Sequence, residues 1–318
     1  MELSVFIDRK YLYPAIVSLL SAREVFPRTF FFSIGTFENE LNDRDKQHLK
    51  VVFKTLGVGH GVVEISKQAL IDEIGEIDKT QHFGYAAFGR LALQKQIQER
   101  HIYSDVDVLF HLNSRDLFEK LPNSGLIGFV RQAEAFALAG LPCPTENNEF
   151  FAGFIIWPEI TLRPNLSFDP PQTWKTPYSS HDQALLNMRI GQNYERLDPL
   201  LCQLDNPLLD ASNYKPGIVH YFGNWKPWQA TGLSRKRCWS NDCSWTLWFR
   251  AEDEAEKLLS SLGLGPWFRG LRRASLRGAP KNLKTLRRIV WVGRLTGTFS
   301  IVEWLVRFIW KGEKHLIH

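Results

Sequence analysis

The sequence predicts an α/β protein: a mostly parallel sheet flanked by helices, with a basic helical tail at the C-terminal end. Short apolar runs rich in β-branched and aromatic residues alternate with longer stretches of helical period. Strand alternating with helix implies parallel pairing and right-handed crossovers. The third observation is a change of charge near residue 264. Beyond it, 12 Lys and Arg face only Glu303 and Glu313, a net of +10, whereas the first 263 residues hold 27 basic against 32 acidic, a net of −5. The chain is accordingly divided into a first domain over 1–263 and a basic, tryptophan-rich tail over 264–318.

The strand candidates in order are "SVFI" (4–7), "TFFFSIG" (29–35), "GVVEIS" (61–66) and "HIYSDVDVLF" (101–110). Between the first two, "YPAIVSLLSA" (13–22) puts Ile16, Leu19 and Leu20 on one helical face, and "FGYAAFGRLALQKQIQER" (83–100) does the same with Phe88, Leu91 and Ile97. Further apolar runs follow at 125–130 and 149–158. The prolines of 164–177 fit neither helix nor central strand, which predicts a surface loop. A helical pattern resumes at 179–190, and a short strand "GIVHYF" (217–222) leads into "GNWKPW" (223–228).

At 318 residues, with 44% hydrophobic and 23% charged residues, the chain can bury a sizeable core. No apolar run reaches membrane-spanning length, and the first residues acquire charge too early for a signal peptide. Cys143, Cys202, Cys238 and Cys243 form no CxxC pair and read as free thiols of a reducing compartment.

Asp105 and Asp107 stand out at the end of an otherwise apolar strand. On a strand they would share a face, about 6 to 7 Å apart, and would repel unless a positive charge lay between them. A solvated turn is one reading. Ligands of parallel sheets bind at carboxyl ends of strands, which makes a binding site the other.

Taken in order, "VFIDRKYLYPAIVSLLSA", "FGRLAL", "IYSDVDVLF", "FFAGFIIW", "HDQALLN" and "VHYFGNWKPW" resemble the blocks of glycosyltransferase family 8, over roughly residues 4–228. That family contains bacterial lipopolysaccharide and lipooligosaccharide hexosyltransferases and glycogenin. The resemblance implies a GT-A fold with a Rossmann-like sheet, a UDP-sugar donor, and Mn²⁺ (or Mg²⁺) on the diphosphate. Asp105, Asp107 and His220 resemble the metal ligands, and carboxylates with one imidazole suit such an ion. Lys226 and Gly223 resemble the diphosphate-binding lysine and glycine, and Asp8 and Tyr11 the residues that hold uracil. Val106, between the two aspartates, goes with the donor-binding residues. Arg90 sits where the family keeps an arginine near the donor sugar, Asp182 would bind sugar hydroxyls, and Gln183 would lie beneath the anomeric carbon.

The chain departs from the family pattern at Phe151, Lys10 and Ala184, where relatives commonly carry asparagine, asparagine and an acidic residue. A glutamine on the β-face favours front-face transfer over a covalent carboxylate intermediate. In the tail, Ile301, Leu305 and Phe308 share a helical face with Trp304, and arginines interleaved with tryptophans fit an anchor on anionic lipid. A helix packed on its own domain is the other reading, and no nucleic-acid module is present. The expectation is a cytoplasmic enzyme, peripheral on the inner face of the membrane. It would move galactose or glucose from a UDP-hexose to an oligosaccharide or glycolipid acceptor. A soluble glycogenin-like glucosyltransferase and a silent UDP-sugar-binding scaffold are the alternatives.

Overall fold

The computed structural model describes residues 2–23, 25–26, 30–74, 85–111, 115–143, 149–164, 181–206, 211–215, 217–222, 226–230, 235, 242 and 244–277. In chain order the first half runs β1 (Glu2–Ile7), α1 (Leu12–Arg23), β2 (Phe31–Phe37), α2 (Asp43–Leu56), β3 (Gly59–Ile65), α3 (Lys67–Ile74), α4 (Tyr85–Gln96), β4 (His101–Ser104), β5 (Val108–Phe110) and α5 (Arg115–Glu119). The second runs β6 (Gly128–Arg131), α6 (Gln132–Leu138), β7 (Phe150–Trp157), α7 (His181–Ile190), β8 (Glu195–Arg196), β9 (Gln203–Leu204), β10 (Ile218–His220), α8 (Trp245–Ser261) and α9 (Gly265–Arg277).

Seven strands form one sheet in the order β3-β2-β1-β4-β7-β6-β8. From β3 to β4 every pairing is parallel, while β7 runs antiparallel to both β4 and β6. Successive side chains of a strand face opposite sides. Leu3, Val5 and Ile7 of β1 therefore enter one core with α1 and α2, and Phe6 enters the other with α4 and α7. The helix α2 is one the sequence reading omits. Its ends carry ordinary signals: Asn42 caps the start by accepting from the Asp45 N–H at 2.8 Å, and Gly57 ends it at φ 68°.

The run 101–110 is not a single strand. The chain leaves the main sheet after Ser104, turns through Asp105, Val106 and Asp107, and re-enters as β5 in a second sheet of order β5-β10-β9. There β5 is antiparallel to β10, with Val108 opposite His220. This change of sheet brings two distant parts of the sequence together.

The body includes α9. Trp267, Phe268 and Leu271 are buried, the Phe268 ring lies 4.8 Å from that of Tyr13, and the Trp267 Nε1–H donates to Asp45 at 2.9 Å. The remainder of the basic segment, 278–318, lies outside the described residues, as do Cys238, Cys243 and most of the proline-rich passage. No helix among the described residues is long and apolar enough to cross a membrane.

Candidate active site

The site is assembled where β4 stops. The Asp105 N–H donates to Gly153 O of β7 at 2.9 Å, and the Tyr221 N–H just past β10 donates to Asp107 O at 2.8 Å. The turn between the two sheets is thereby tied to both. From β10, His220 Nε2 reaches Asp107 Oδ1 at 3.2 Å and Asp105 Oδ2 at 4.0 Å. One ligand atom from each of the three residues lies within 4.8 Å of the others, so the three converge on a common point. Two hard carboxylate oxygens and one imidazole nitrogen form a donor set that fits a divalent cation. The Val106 side chain, between the two aspartates, is buried in the core.

Cations hold the two carboxylates from behind. Lys226 Nζ donates to Asp107 Oδ2 and, at 2.6 Å, to Tyr221 O. Arg90, 7% exposed on α4, lies 3.1 Å from Asp105 Oδ1 and 3.0 Å from Asp182 Oδ2. Its Nη1 donates to Ala152 O, its Nε–H to Ala87 O at 3.2 Å, and its guanidinium sits 4.9 Å over the Tyr103 ring. Tyr103 in turn donates its hydroxyl to Asp105 Oδ1 at 3.0 Å. Asp182 is 5% exposed, and its Oδ2 has the charge of Arg90 nearby but accepts no hydrogen bond among the described residues.

Burial alone would raise the Asp107 carboxyl, but the Lys226 ammonium and the His220 imidazole outweigh it and hold the group well below the usual carboxylate range. Burial would lower His220; the Asp107 carboxylate overrides it and carries the imidazole up to about 10. Asp105 is raised by burial against the pull of Arg90, with Asp107 as a like charge beside it. The two carboxylates are thus pushed in opposite directions, Asp107 toward its charged form by its cations and Asp105 away from it by burial.

A bulge in β7 organises the neighbouring groups. The β6–β7 register shifts between Phe129 and Val130, whose partners on β7 are Ile155 and Phe151. Within the freed segment Ala152 O takes the guanidinium, Gly153 O takes the Asp105 N–H, and the Ala152 N–H donates to Gln183 Oε1 at 3.1 Å. That bond fixes the amide of Gln183, its oxygen on the strand and its NH₂ turned away. Gly153 leaves necessary room, since an added Cβ would lie 2.6 Å from His220 Cε1 and 3.2 Å from Asp105 Oδ2.

Asp8 caps the 3-10 turn Arg9–Tyr11, its Oδ1 accepting from Lys10 N at 2.9 Å and Tyr11 N at 3.2 Å. The Tyr11 phenol is raised to about 12 by its crowded setting and then by Asp107, Asp8 and Asp105, and its side chain is still 42% exposed. Gly223 lies outside the described residues. Sequence reasoning did not single out Tyr103, Gly153 or Cys202. Only the glycine left a signal, as an isolated Gly inside a strand pattern.

A model of the family described as "Glycosyl transferase family 8" matches residues 2–232. Among solved structures the chain is similar to the galactosyltransferase LgtC in complex with donor and acceptor sugar analogs: TM-score 0.56, 15% identity, 80% of this chain and 96% of that one. It is also similar to the bifunctional glycosyltransferase WbbM (TM-score 0.55, 14% identity, 86% and 51%) and to the glycosyltransferase GlyE of Streptococcus pneumoniae TIGR4 (0.51, 17%, 80% and 62%). No curated protein matches. At these identities the structural likeness concerns the fold, which is the GT-A fold, and the family model covers well over half of the sequence. The chain belongs to glycosyl transferase family 8 and is a glycosyltransferase.

Proposed function

We propose that the enzyme transfers a hexose, galactose or glucose, from a UDP-sugar to a glycan acceptor with retention of configuration. The product would extend the oligosaccharide of a bacterial lipopolysaccharide or another surface polysaccharide. The observation that carries the reading is the convergence of Asp105, Asp107 and His220 next to a buried Asp182 with hydrogen-bonding capacity to spare. Those three residues would hold Mn²⁺ or Mg²⁺, which when bound neutralises charge on the departing diphosphate.

Asp182 and Arg90 orient sugar hydroxyls, and Lys226 adds a second positive charge toward the leaving group. The NH₂ end of Gln183, turned off β7, is a hydrogen-bond donor and not a nucleophile, which favours front-face transfer. Asp8 and Tyr11 would hold uracil; Tyr11 lies near enough to Asp107 and Asp105 for their charges to act on its phenol. Phe151 offers an apolar face where a polar residue would contact the sugar, so the donor's identity rests on assay.

An anionic membrane surface is the proposed location, on the cytoplasmic side. Support comes from the charge of 264–318 and from a cavity of about 440 Å³ beside α9, lined by Arg9, Lys10, Arg44, Trp267 and Leu271 among others. Removing 278–318, which spares α9, should release the protein from anionic vesicles and leave UDP-sugar hydrolysis intact; unchanged sedimentation would refute the anchor.

Donor and metal are tested together by scoring a panel of UDP-sugars for hydrolysis with Mn²⁺. A single preferred hexose is expected, with hydrolysis abolished by chelator. UDP binding without turnover on any donor would overturn the reading in favour of a scaffold.

A further inference from the structure

A metal-binding imidazole has to offer one nitrogen's lone pair to the ion and keep its proton on the other. The second nitrogen's partner therefore selects the tautomer and fixes the ring, usually as a carboxylate, a backbone carbonyl or water. In this chain the Nδ1 of His220 faces a sulfur: Cys202 Sγ at 3.7 Å, from a side chain 1% exposed. Cys202 ends the 3-10 turn Pro199–Cys202, which runs directly into β9. Since β9 pairs parallel to β10, with Leu204 opposite His220, backbone register holds the thiol against the ring.

The other sides of the imidazole are closed as well. The Phe151 ring stands edge-on to it at 5.3 Å and 86°, and the vacant Cβ position of Gly153 is filled by its Cε1 and Nδ1. A ring flip would exchange nitrogen for carbon at both ends and lose the sulfur and carboxylate contacts together.

We propose that Cys202 is a positioning residue for the metal: its sulfur accepts the Nδ1–H of His220 and so leaves the Nε2 lone pair aimed between Asp105 and Asp107. A thiol has a physical merit here. A carboxylate in its place would add another negative charge to a pocket that already holds Asp105 and Asp107, whereas a thiol sulfur offers a weak acceptor. The proposal rests on the metal assignment made above.

The test is Mn²⁺ titration of the full chain, followed by the EPR signal of free Mn²⁺, with thermal unfolding measured on the same samples without metal. Cys202→Val keeps an apolar group of similar size and removes the acceptor; Cys202→Ser keeps an acceptor. Second-layer partners of metal ligands are typically worth 10- to 100-fold in affinity, and a weak sulfur acceptor belongs at the low end. The Val variant is expected to bind Mn²⁺ about tenfold more weakly at an unchanged Tm, and the Ser variant to recover part of the loss. Val binding as tightly as wild type would overturn the role of Cys202 and leave the metal site standing. Equal weakening of Val and Ser in step with equal loss of Tm would reduce the residue to packing and overturn the role too. Failure of the wild-type chain to bind Mn²⁺ would remove both readings.

Discussion

Two of the buried charge clusters among the described residues differ in where their lone pairs point. At the junction of α1, α8 and α9, Glu252 is 1% exposed and receives the Tyr13 hydroxyl, Arg235 at 2.5 Å and Arg272 at 2.9 Å. One carboxylate there meets two guanidiniums, and both of its oxygens are spent on protein. In the candidate site, Asp105 and Asp107 each give one oxygen to protein cations and turn the other toward a point shared with His220. Burial and charge alone would rank the two clusters alike. Convergence of acceptors marks one as a candidate binding site, and a carboxylate with both oxygens taken by protein donors marks the other as a brace between helices.

The sharpest way to break this contrast is to remove one acid from each cluster. Asp107→Asn should cost hydrolysis about 10²- to 10³-fold or more in the molecules that stay folded, the scale of losing one preorganised electrostatic contact. Glu252→Gln should lower stability and leave hydrolysis by the folded molecules intact. It removes the carboxylate that Arg235 and Arg272 share and should cost about 2–3 kcal/mol, below the usual figure for a broken buried pair because Arg235 keeps Asp253 and Arg272 retains exposure. Chemical denaturation reads that loss, and molecules that stay folded should keep their Mn²⁺ affinity.

Smaller effects sharpen the comparison. Gly153→Ala should displace the imidazole, weaken Mn²⁺ binding and cost about 1–3 kcal/mol of overpacking; unaltered metal binding would mean that the ring has slack.

A pH-dependent effect, spread over several pH units, uses two buried histidines of opposite sense. His101 is pushed down to about 3 by burial and then by Arg163. As pH falls from 6.5 toward 3 the unfolded chain takes the proton first, so stability declines by up to about 1.4 kcal/mol per pH unit. In metal-free protein His220 contributes stability that is full below 6.5 and lost as pH rises through about 10. His101→Gln should flatten the acid limb alone, as read from Tm against pH.

Much of the fold was legible because it rests on local periodicity. The run 13–22 became α1, 179–190 contains α7, and six of the apolar runs contain or overlap strands of the main sheet or its neighbour. The break at Asp105 was legible only as one of two readings, a turn, because apolar alternation also reads through it. What divides β4 from β5 is pairing with β10, more than a hundred residues later. The candidate metal trio was legible through the ordered blocks of family resemblance and not through spacing. Tyr103 and Cys202 were not, since a tyrosine and a cysteine in apolar runs look like core until their partners are in place.

The central claim is that Asp105, Asp107 and His220 hold one divalent ion that carries the diphosphate of the donor. Anomalous diffraction at the manganese edge, from crystals of the full chain grown with Mn²⁺ and UDP, tests it most directly. The account predicts one peak at coordination distance from an oxygen of each aspartate, from His220 Nε2 and from two phosphate oxygens. A peak bound to the diphosphate but out of reach of His220 would contradict it.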